Sequence, residues 1–240
     1  MIGRITWLAA LLAIAVLTTL VQLDKQSEAT PALATAVPAP LRDFAQTRIT
    51  AAAVESGDPA TALAEAERLV RRRPVPAEYL TLLAVAQAKA GQPEQAALTI
   101  QIAGQRGWRE PLAQEAVLRL ALAAGDTPEA ARRYAALFLR SATPDTLLIE
   151  LGPQVLGDPS GAGRKTIADI VSGADRWHSL FLRRGLMVMP ADAFSAIVTT
   201  SMAQGAVFDC GVLARSIIGL RPRDEAAAER LQLAAAKVCG

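Results

Sequence analysis

One stretch of the sequence has the residue types that could bind a phosphate group. Residues 161–166 read Gly-Ala-Gly-Arg-Lys-Thr. A phosphate-binding loop of the G-x-x-x-x-G-K-[ST] type requires its glycines, because their backbone N–H groups wrap the phosphates. Here Arg164 stands at the second glycine of that motif and Pro159 at the first. We therefore expect no nucleotide site at this stretch and no small-molecule cofactor.

Metal binding or nucleophilic catalysis would depend on the single histidine and the two cysteines. A metal site needs several ligands close together, and His178 has no cysteine or second histidine near it in the sequence. No serine lies in a G-x-S-x-G motif. We expect His178 to be a surface or half-buried residue with a hydrogen-bond partner, and we predict no metal site and no catalytic residue.

A pair of carboxylates that hydrolyses sugars is defined by spacing in three dimensions rather than in sequence. An envelope polysaccharide or peptidoglycan hydrolase therefore remains a minor alternative.

The composition of the chain indicates a helical fold. Of the 240 residues 52% are hydrophobic but only 4% aromatic, and alanine, the best helix former, dominates. An all-α chain follows, and the net charge of +2 is too small to indicate a nucleic-acid partner.

An apolar segment near the N-terminus predicts a membrane helix. Residues 5–23 carry no charged side chain, and about 20 apolar residues span a membrane. Arg4 precedes the segment, so the positive-inside rule keeps the N-terminus in the cytoplasm and exports the remaining chain. A cleavable signal peptide is the alternative, because residues 27–29 and 32–34 offer small residues at cleavage-like spacing.

The segment that follows, residues 24–40, is rich in alanine, threonine and proline. Such a composition buries little apolar area, so we predict an extended tether between residues 1–23 and the folded part.

A period of 34 residues runs through residues 41–144. Gly57, Gly91 and Gly125 are each followed by a proline two or three residues later. A fixed period of this length is the signature of stacked helix-turn-helix units. Each of the three glycines is also followed, five residues later, by an alanine: Ala62, Ala96 and Ala130.

These positions resemble the pattern of the tetratricopeptide repeat family. The second repeat has Leu80, Leu83 and Ala84 in its first helix, and Ile100 follows Ala96 at the family's A-x-x-x-F spacing. The resemblance implies antiparallel helix hairpins stacked into a solenoid, with about three clear repeats. Residues 145–240 read as degenerate repeats with a closing helix, in which Ala162 takes the alanine position of a register displaced by two residues and Cys210 takes that of a later repeat.

In this family the first helix of each repeat lines the concave face, which binds a partner. Such a surface fits an extended peptide or an amphipathic helix. Carried over residue by residue, the predicted groove consists of Thr47, Glu78, Thr81, Val85, Lys89, Glu115 and Arg119.

The two cysteines are an even number in a chain expected to fold in an oxidising compartment. Cys210 is predicted near the start of one helix and Cys239 at the end of the next, so antiparallel packing would bring them within reach of a disulfide. The alternative is that Cys210 is a small core residue and that Cys239 lies in a frayed end.

Taken together, the sequence predicts a bacterial inner-membrane protein held by residues 5–23, with its repeats in the periplasm. We expect a non-enzymatic scaffold that binds a protein or peptide partner in the cell envelope. An assembly factor for a secreted polysaccharide or an envelope complex is the alternative function, and a cleaved, periplasmic or secreted chain is the alternative location.

Overall fold

The computed structural model describes residues 2–239, and 79% of the chain is helical, with no strand in that range. The predicted all-α class is confirmed. The helices are α1 (Ile2–Gln26), α2 (Phe44–Ser56), α3 (Pro59–Arg72), α4 (Ala77–Lys89), α5 (Pro93–Arg106), α6 (Pro111–Ala123), α7 (Thr127–Phe138), α8 (Asp145–Leu156), α9 (Ala162–Ser172), α10 (His178–Val188), α11 (Ala191–Ala203), α12 (Cys210–Leu220) and α13 (Glu225–Cys239).

The chain divides into two compact units, with the boundary after Gly107 in the turn between α5 and α6. In the first unit, α3 packs against both α2 and α4, and α4 packs against α5. This is the contact order of helix hairpins that follow one another. The arrangement is repeat-like and compatible with the tetratricopeptide family.

Helix α1 has a mean hydropathy of 2.1 over its most apolar window, and none of that window is buried against the rest of the chain. It is therefore long and apolar enough to cross a membrane or to act as a signal sequence.

The turn glycines of the repeats do not all adopt one conformation. Gly91 and Gly125 both have φ of +74°, where a side chain would be strained. The N–H of the residue after each glycine reaches back to a carbonyl five residues earlier, as in the bond from Gln92 to Gln87 of 2.9 Å, which completes a Schellman cap. Gly57 has φ of −78° and ends α2 in an extended conformation instead.

The segment predicted as an extended tether is folded. Two short 3₁₀ helices, Pro31–Ala36 and Ala39–Leu41, follow α1. Ala34 and Val37 are buried against Ala45 of α2, and Leu23 of α1 packs on the same cluster. The prediction was wrong because a few small apolar side chains, placed against the first turns of α2, are enough to order a segment of this length.

The second unit has two rows of helices. In one row α9 contacts α7 and α11, and α11 contacts α13; in the other row α10 lies between α8 and α12. Aromatic residues fill the space between the rows: the ring centroid of Phe181 is 5.6 Å from that of Phe138 and 6.0 Å from that of Phe194. Tyr134, also fully buried, donates its hydroxyl to the carbonyl of Leu148.

The repeat register in α9 differs from the displaced one predicted from the turn. Ala162 is exposed at the first position of the helix. Because the buried face decides which residues are equivalent, the period of 34 continues unshifted and only the turn has moved. The buried residues Arg164, Ala168 and Val171 lie 34 positions beyond the buried residues Ala130, Tyr134 and Leu137.

Cys210 does not occupy the alanine position of a repeat either. It is the exposed first residue of α12, and it forms a disulfide with Cys239 at the end of α13, with their Cα atoms 5.9 Å apart. The bond joins the start of one helix to the end of its antiparallel neighbour and closes the last hairpin of the chain.

Candidate functional site

The groove residues predicted in the first unit lie on α2 and α4, but not all are available to a partner. Glu78 is exposed in the first turn of α4. Thr81, by contrast, is buried, and its hydroxyl donates to the carbonyl of Ala77. The prediction for Thr81 was wrong because this position of α4 faces inward. Thr47 is half-buried on α2.

Lys89 is exposed but has a structural partner, since its ammonium donates to the carbonyl of Val54 in the last turn of α2. A cation at the C-terminal end of a helix stabilises the unpaired carbonyls there. Val85, one turn earlier, is half-buried beside the small core cluster that includes Val54 and Ala86. Of the groove residues predicted in this unit, Glu78 is therefore the one with a free, exposed side chain.

The groove residues predicted in the second unit form an ion-pair network. The guanidinium of Arg119 on α6 lies 2.9 Å from the carboxylate of Glu115 and 3.1 Å from that of Glu150 on α8. The hydrogen bond to Glu115 is the main reason why the pKa of Arg119 is raised. One cation between two anions leaves this part of the surface with a net negative charge.

A row of exposed side chains on α10, the α10 stripe, was not predicted. Leu180, Arg183 and Met187 project from one face of the helix, and the side chain of Met187 is 66% exposed. Ile149 on α8 and Ile218 on α12, the two helices that α10 contacts, are also exposed. Spacings of three and four residues in the sequence could have indicated this face.

A recess of about 440 Å³ lies beside the α10 stripe. Its lining includes Leu180, Arg183 and Asp145. Arg184, next to it, is already bound, because it pairs with Asp145 at 2.8 Å and donates to the carbonyls of Arg140 and Thr143. Arg183 is exposed and forms no ion pair or hydrogen bond among the described residues.

The stretch that resembled a phosphate-binding loop holds its arginine inside the protein. Arg164 donates to the carbonyl of Leu156 at 2.7 Å and pairs with Asp192 at 2.6 Å. Burial has the largest single effect and raises the pKa of Asp192, but the hydrogen bond and the positive charge of Arg164, together with backbone hydrogen bonds, outweigh it and hold this pKa below its usual range. Arg164 thus joins α9 to α11, and its guanidinium does not face a ligand.

His178 has hydrogen-bond partners, as expected, but it is buried rather than at the surface or half-buried. Its Nε2 lies 2.7 Å from the carbonyl oxygen of Val171 and its Nδ1 lies 3.0 Å from that of Val207. Carbonyl oxygens accept hydrogen bonds, so a ring nitrogen that carries the proton donates to the carbonyl it faces. Phe208 covers the ring at 4.6 Å between centroids. His178, at the start of α10, thus contacts the last turn of α9 and the connection between α11 and α12.

Within residues 2–239, no three histidine, cysteine, aspartate or glutamate side chains come close enough together to hold a metal ion. No protein-family model matches the chain. No curated protein and no solved structure shows significant similarity to it. Its function has to be inferred from the surfaces described above.

Proposed function

We propose that the chain is a membrane-anchored scaffold of the bacterial cell envelope that binds a protein partner and has no catalytic activity of its own. In this proposal the hairpins within each unit stack as they do in tetratricopeptide-like repeats. The helix that carries Glu78 belongs to the partner-binding side of the first unit, and the helix that carries Glu115 and Arg119 to that of the second. Repeat proteins use such extended surfaces for binding, because each hairpin adds one strip to a continuous face.

The observation that carries this proposal is the α10 stripe. Soluble proteins rarely leave contiguous apolar side chains open to water unless they bind something. Leu180 and Met187 are exposed next to Arg183, whose charge is unpaired among the described residues. Arginine and methionine are enriched at protein interfaces. This surface suits an amphipathic helix or an extended peptide that carries acidic residues.

Two observations support an anchor that is retained rather than cleaved. Asp24 is buried and its carboxylate caps the start of α2. Ala34, a small residue at one of the cleavage-like positions, is also buried. Cleavage after Ala29 or Ala34 would remove the capping residue and part of the small core around Val37. We therefore propose a single-pass inner-membrane protein with the repeats in the periplasm.

The location can be tested by two measurements on the full chain. Its intact mass after purification from membranes should equal that of the uncleaved sequence. A reporter that is active only after export, fused to the C-terminus, should be active. A mature mass that lacks residues 1–29 or 1–34 would contradict the anchor, and activity from a cytoplasm-only reporter would contradict the topology.

The binding surface can be tested by photo-crosslinking in intact cells. A photoreactive amino acid at position 180 or 187 should give the same discrete adduct, and one at position 119 should give it too if the partner spans the α6–α8 side. Position 233 is the matched control, because Leu233 on α13 is 70% exposed but lies in the other row of helices.

An adduct at 180 and 187 that is missing at 233, and is lost in an Arg183→Glu background, would support the proposal. Adducts of equal yield at all positions would indicate random collision. No adduct at any position on α6, α8, α10 or α12 would contradict a binding function for this side of the unit.

A further inference from the structure

Three arginines surround the segment that follows α1, and none of them is neutralised. Arg42 donates its Nε to the carbonyl of Val37 at 2.8 Å, Arg48 donates to the carbonyl of Glu28, and Arg72 donates to the carbonyls of Ala39, at 2.6 Å, and Arg42. These partners are neutral backbone oxygens. Among residues 2–239, none of the three arginines forms an ion pair, so no carboxylate balances their positive charges there.

Other arginines of the same unit do form ion pairs. Arg68, Arg71 and Arg73 of the same unit each pair with a carboxylate within 3.4 Å. A guanidinium has five N–H donors, and Arg42 and Arg48 each use one of them and Arg72 two in the bonds given above. Most of their donors therefore remain for a further acceptor.

The acidic residues of the same segment do little to cancel this charge. The carboxylate of Asp24 is buried and accepts three backbone N–H bonds. The carboxylate of Asp43 lies 3.4 Å from Arg73 and so is already paired. Glu28 is the one acid between residues 24 and 43 whose side chain is exposed without an ion-pair partner in the described structure. The segment is thus positive on its outer side.

The three arginines also bond to a segment that begins directly after the apolar helix. Residues 5–23 in helical form are about 28 Å long, close to the roughly 30 Å of the hydrocarbon core. Leu23 packs on Ala34 and Val37, so the folded unit begins where the apolar run ends. The headgroup layer occupies about 5–8 Å on each side of the hydrocarbon core. If α1 crosses a membrane, side chains that bond to residues 28–42 are therefore placed close to that layer.

We propose that Arg42, Arg48 and Arg72, the juxtamembrane arginines, bind the phosphate groups of anionic phospholipids. Arginine forms bidentate hydrogen bonds to phosphate oxygens, and a basic residue close to an anionic membrane surface strengthens binding about fivefold. Lipid contact would hold the first unit against the membrane, in agreement with the folded connection between α1 and α2. The inference rests on the proposed anchor, because without α1 the arginines would have no fixed position at a membrane.

The test uses the full chain in detergent micelles and native mass spectrometry. Short-chain phosphatidylglycerol and phosphatidylcholine are titrated separately, and the bound lipid is counted on each protein ion. We expect a clear preference for phosphatidylglycerol. The triple variant Arg42→Gln, Arg48→Gln, Arg72→Gln should lose on the order of 100-fold in affinity for it. The same spectra report whether α1 is present, so a cleaved anchor is recognised separately from a failed lipid preference.

The matched control is the triple variant Arg176→Gln, Arg215→Gln, Arg230→Gln, which removes the same charge from exposed arginines of the second unit. It should keep the preference. A third variant with lysine at positions 42, 48 and 72 should keep most of it, which separates lost charge from lost folding. Equal binding of the two lipids, an equal loss in the control, or displacement of phosphatidylglycerol by millimolar inorganic phosphate would overturn the proposal.

Discussion

The carboxylate of Asp24 accepts a hydrogen bond of 2.9 Å from the backbone N–H of Asp43. It accepts further bonds from Phe44 and Ala45, so one side chain satisfies three of the N–H groups at the start of α2. The last turns of α1 therefore supply the N-terminal cap of a helix nearly 20 residues further along the chain. These three bonds tie the end of α1 to the start of α2.

A first prediction follows for the variant Asp24→Ala. Removal of an N-terminal cap costs about 0.5–2 kcal/mol of stability, and here three backbone donors, one of them buried, would lose their acceptor. We expect a lower urea midpoint for the first unit, measured by circular dichroism, and faster amide exchange in residues 43–45. The variant Glu28→Ala is the control, because Glu28 is exposed and close in sequence. Equal midpoints for the two variants would show that the cap contributes nothing.

A second prediction tests the repeat register in α9. Ala168 is 1% exposed, whereas Ala162 is exposed in the same helix. Leucine at position 168 would overpack the contacts of α9 with α7 and α11 and destabilise the second unit by roughly 1–3 kcal/mol. Leucine at position 162 should change the melting temperature little. A larger loss of stability from leucine at position 162 than from leucine at position 168 would support the displaced register instead.

The helical class and the period of 34 residues could be predicted from the sequence, because both depend on local signals. Gly91 and Gly125 occur where a left-handed residue must end a helix. The turn at Gly157 led to a wrong register for α9, because a turn can shift by two residues while the buried face of the helix keeps its period. A second periodic signal was overlooked. Arg72 and Arg106 are 34 residues apart. Each lies at the end of the second helix of a hairpin and donates to a carbonyl just before the first helix of that hairpin.

The order of residues 24–40 and the surface of α10 were harder to foresee. A segment that is poor in large apolar residues folds here because Leu23, Ala34 and Val37 meet Ala45, and these contacts join parts of the chain that are far apart in sequence. Thr81 shows the same limit. Its position in the repeat suggested the groove, but the neighbouring helices leave it buried. Local periodicity gives the helix; the packing of its neighbours decides which face remains open.

A third prediction concerns the stability of the second unit in acid. Burial raises the pKa of Asp192, but the hydrogen bond and the charge of Arg164, together with backbone hydrogen bonds, outweigh burial and hold this pKa below its usual range. A carboxyl group with a lowered folded pKa stabilises the protein above its unfolded pKa of about 3.9, and this contribution is lost as the pH falls through the folded value. The destabilisation caused by Asp192→Asn should therefore be largest at neutral pH.

Urea unfolding of the wild type and of Asp192→Asn between pH 7 and pH 2 measures this difference. The gap between the two should narrow as the pH falls below about 4. Glu225→Gln, at an exposed position in the first turn of α13, serves as the control. A gap for Asp192→Asn that is the same at pH 7 and pH 2 would show that the ion pair with Arg164 does not contribute.

The last prediction concerns the disulfide between Cys210 and Cys239, whose Cα atoms are 5.9 Å apart. The bond closes a loop that spans 29 positions, for which the chain-entropy account gives a stabilisation of roughly 3–4 kcal/mol. Without the bond, α13 is held only by the burial of side chains such as Ala227 and Leu231 in the core of the second unit. Because the bond ties the end of this helix, its loss should loosen α13 first. We expect a reductant to lower the urea midpoint and to speed amide exchange in α13.

The double variant Cys210→Ser, Cys239→Ser is the matched control. Its midpoint should equal that of the reduced wild type, and a reductant should not change it further. Thiol labelling under non-reducing denaturation should find no reactive thiol in wild-type protein isolated without a reductant. Two reactive thiols per chain, or a wild-type midpoint that a reductant leaves unchanged, would show that the last hairpin is held by its buried side chains alone.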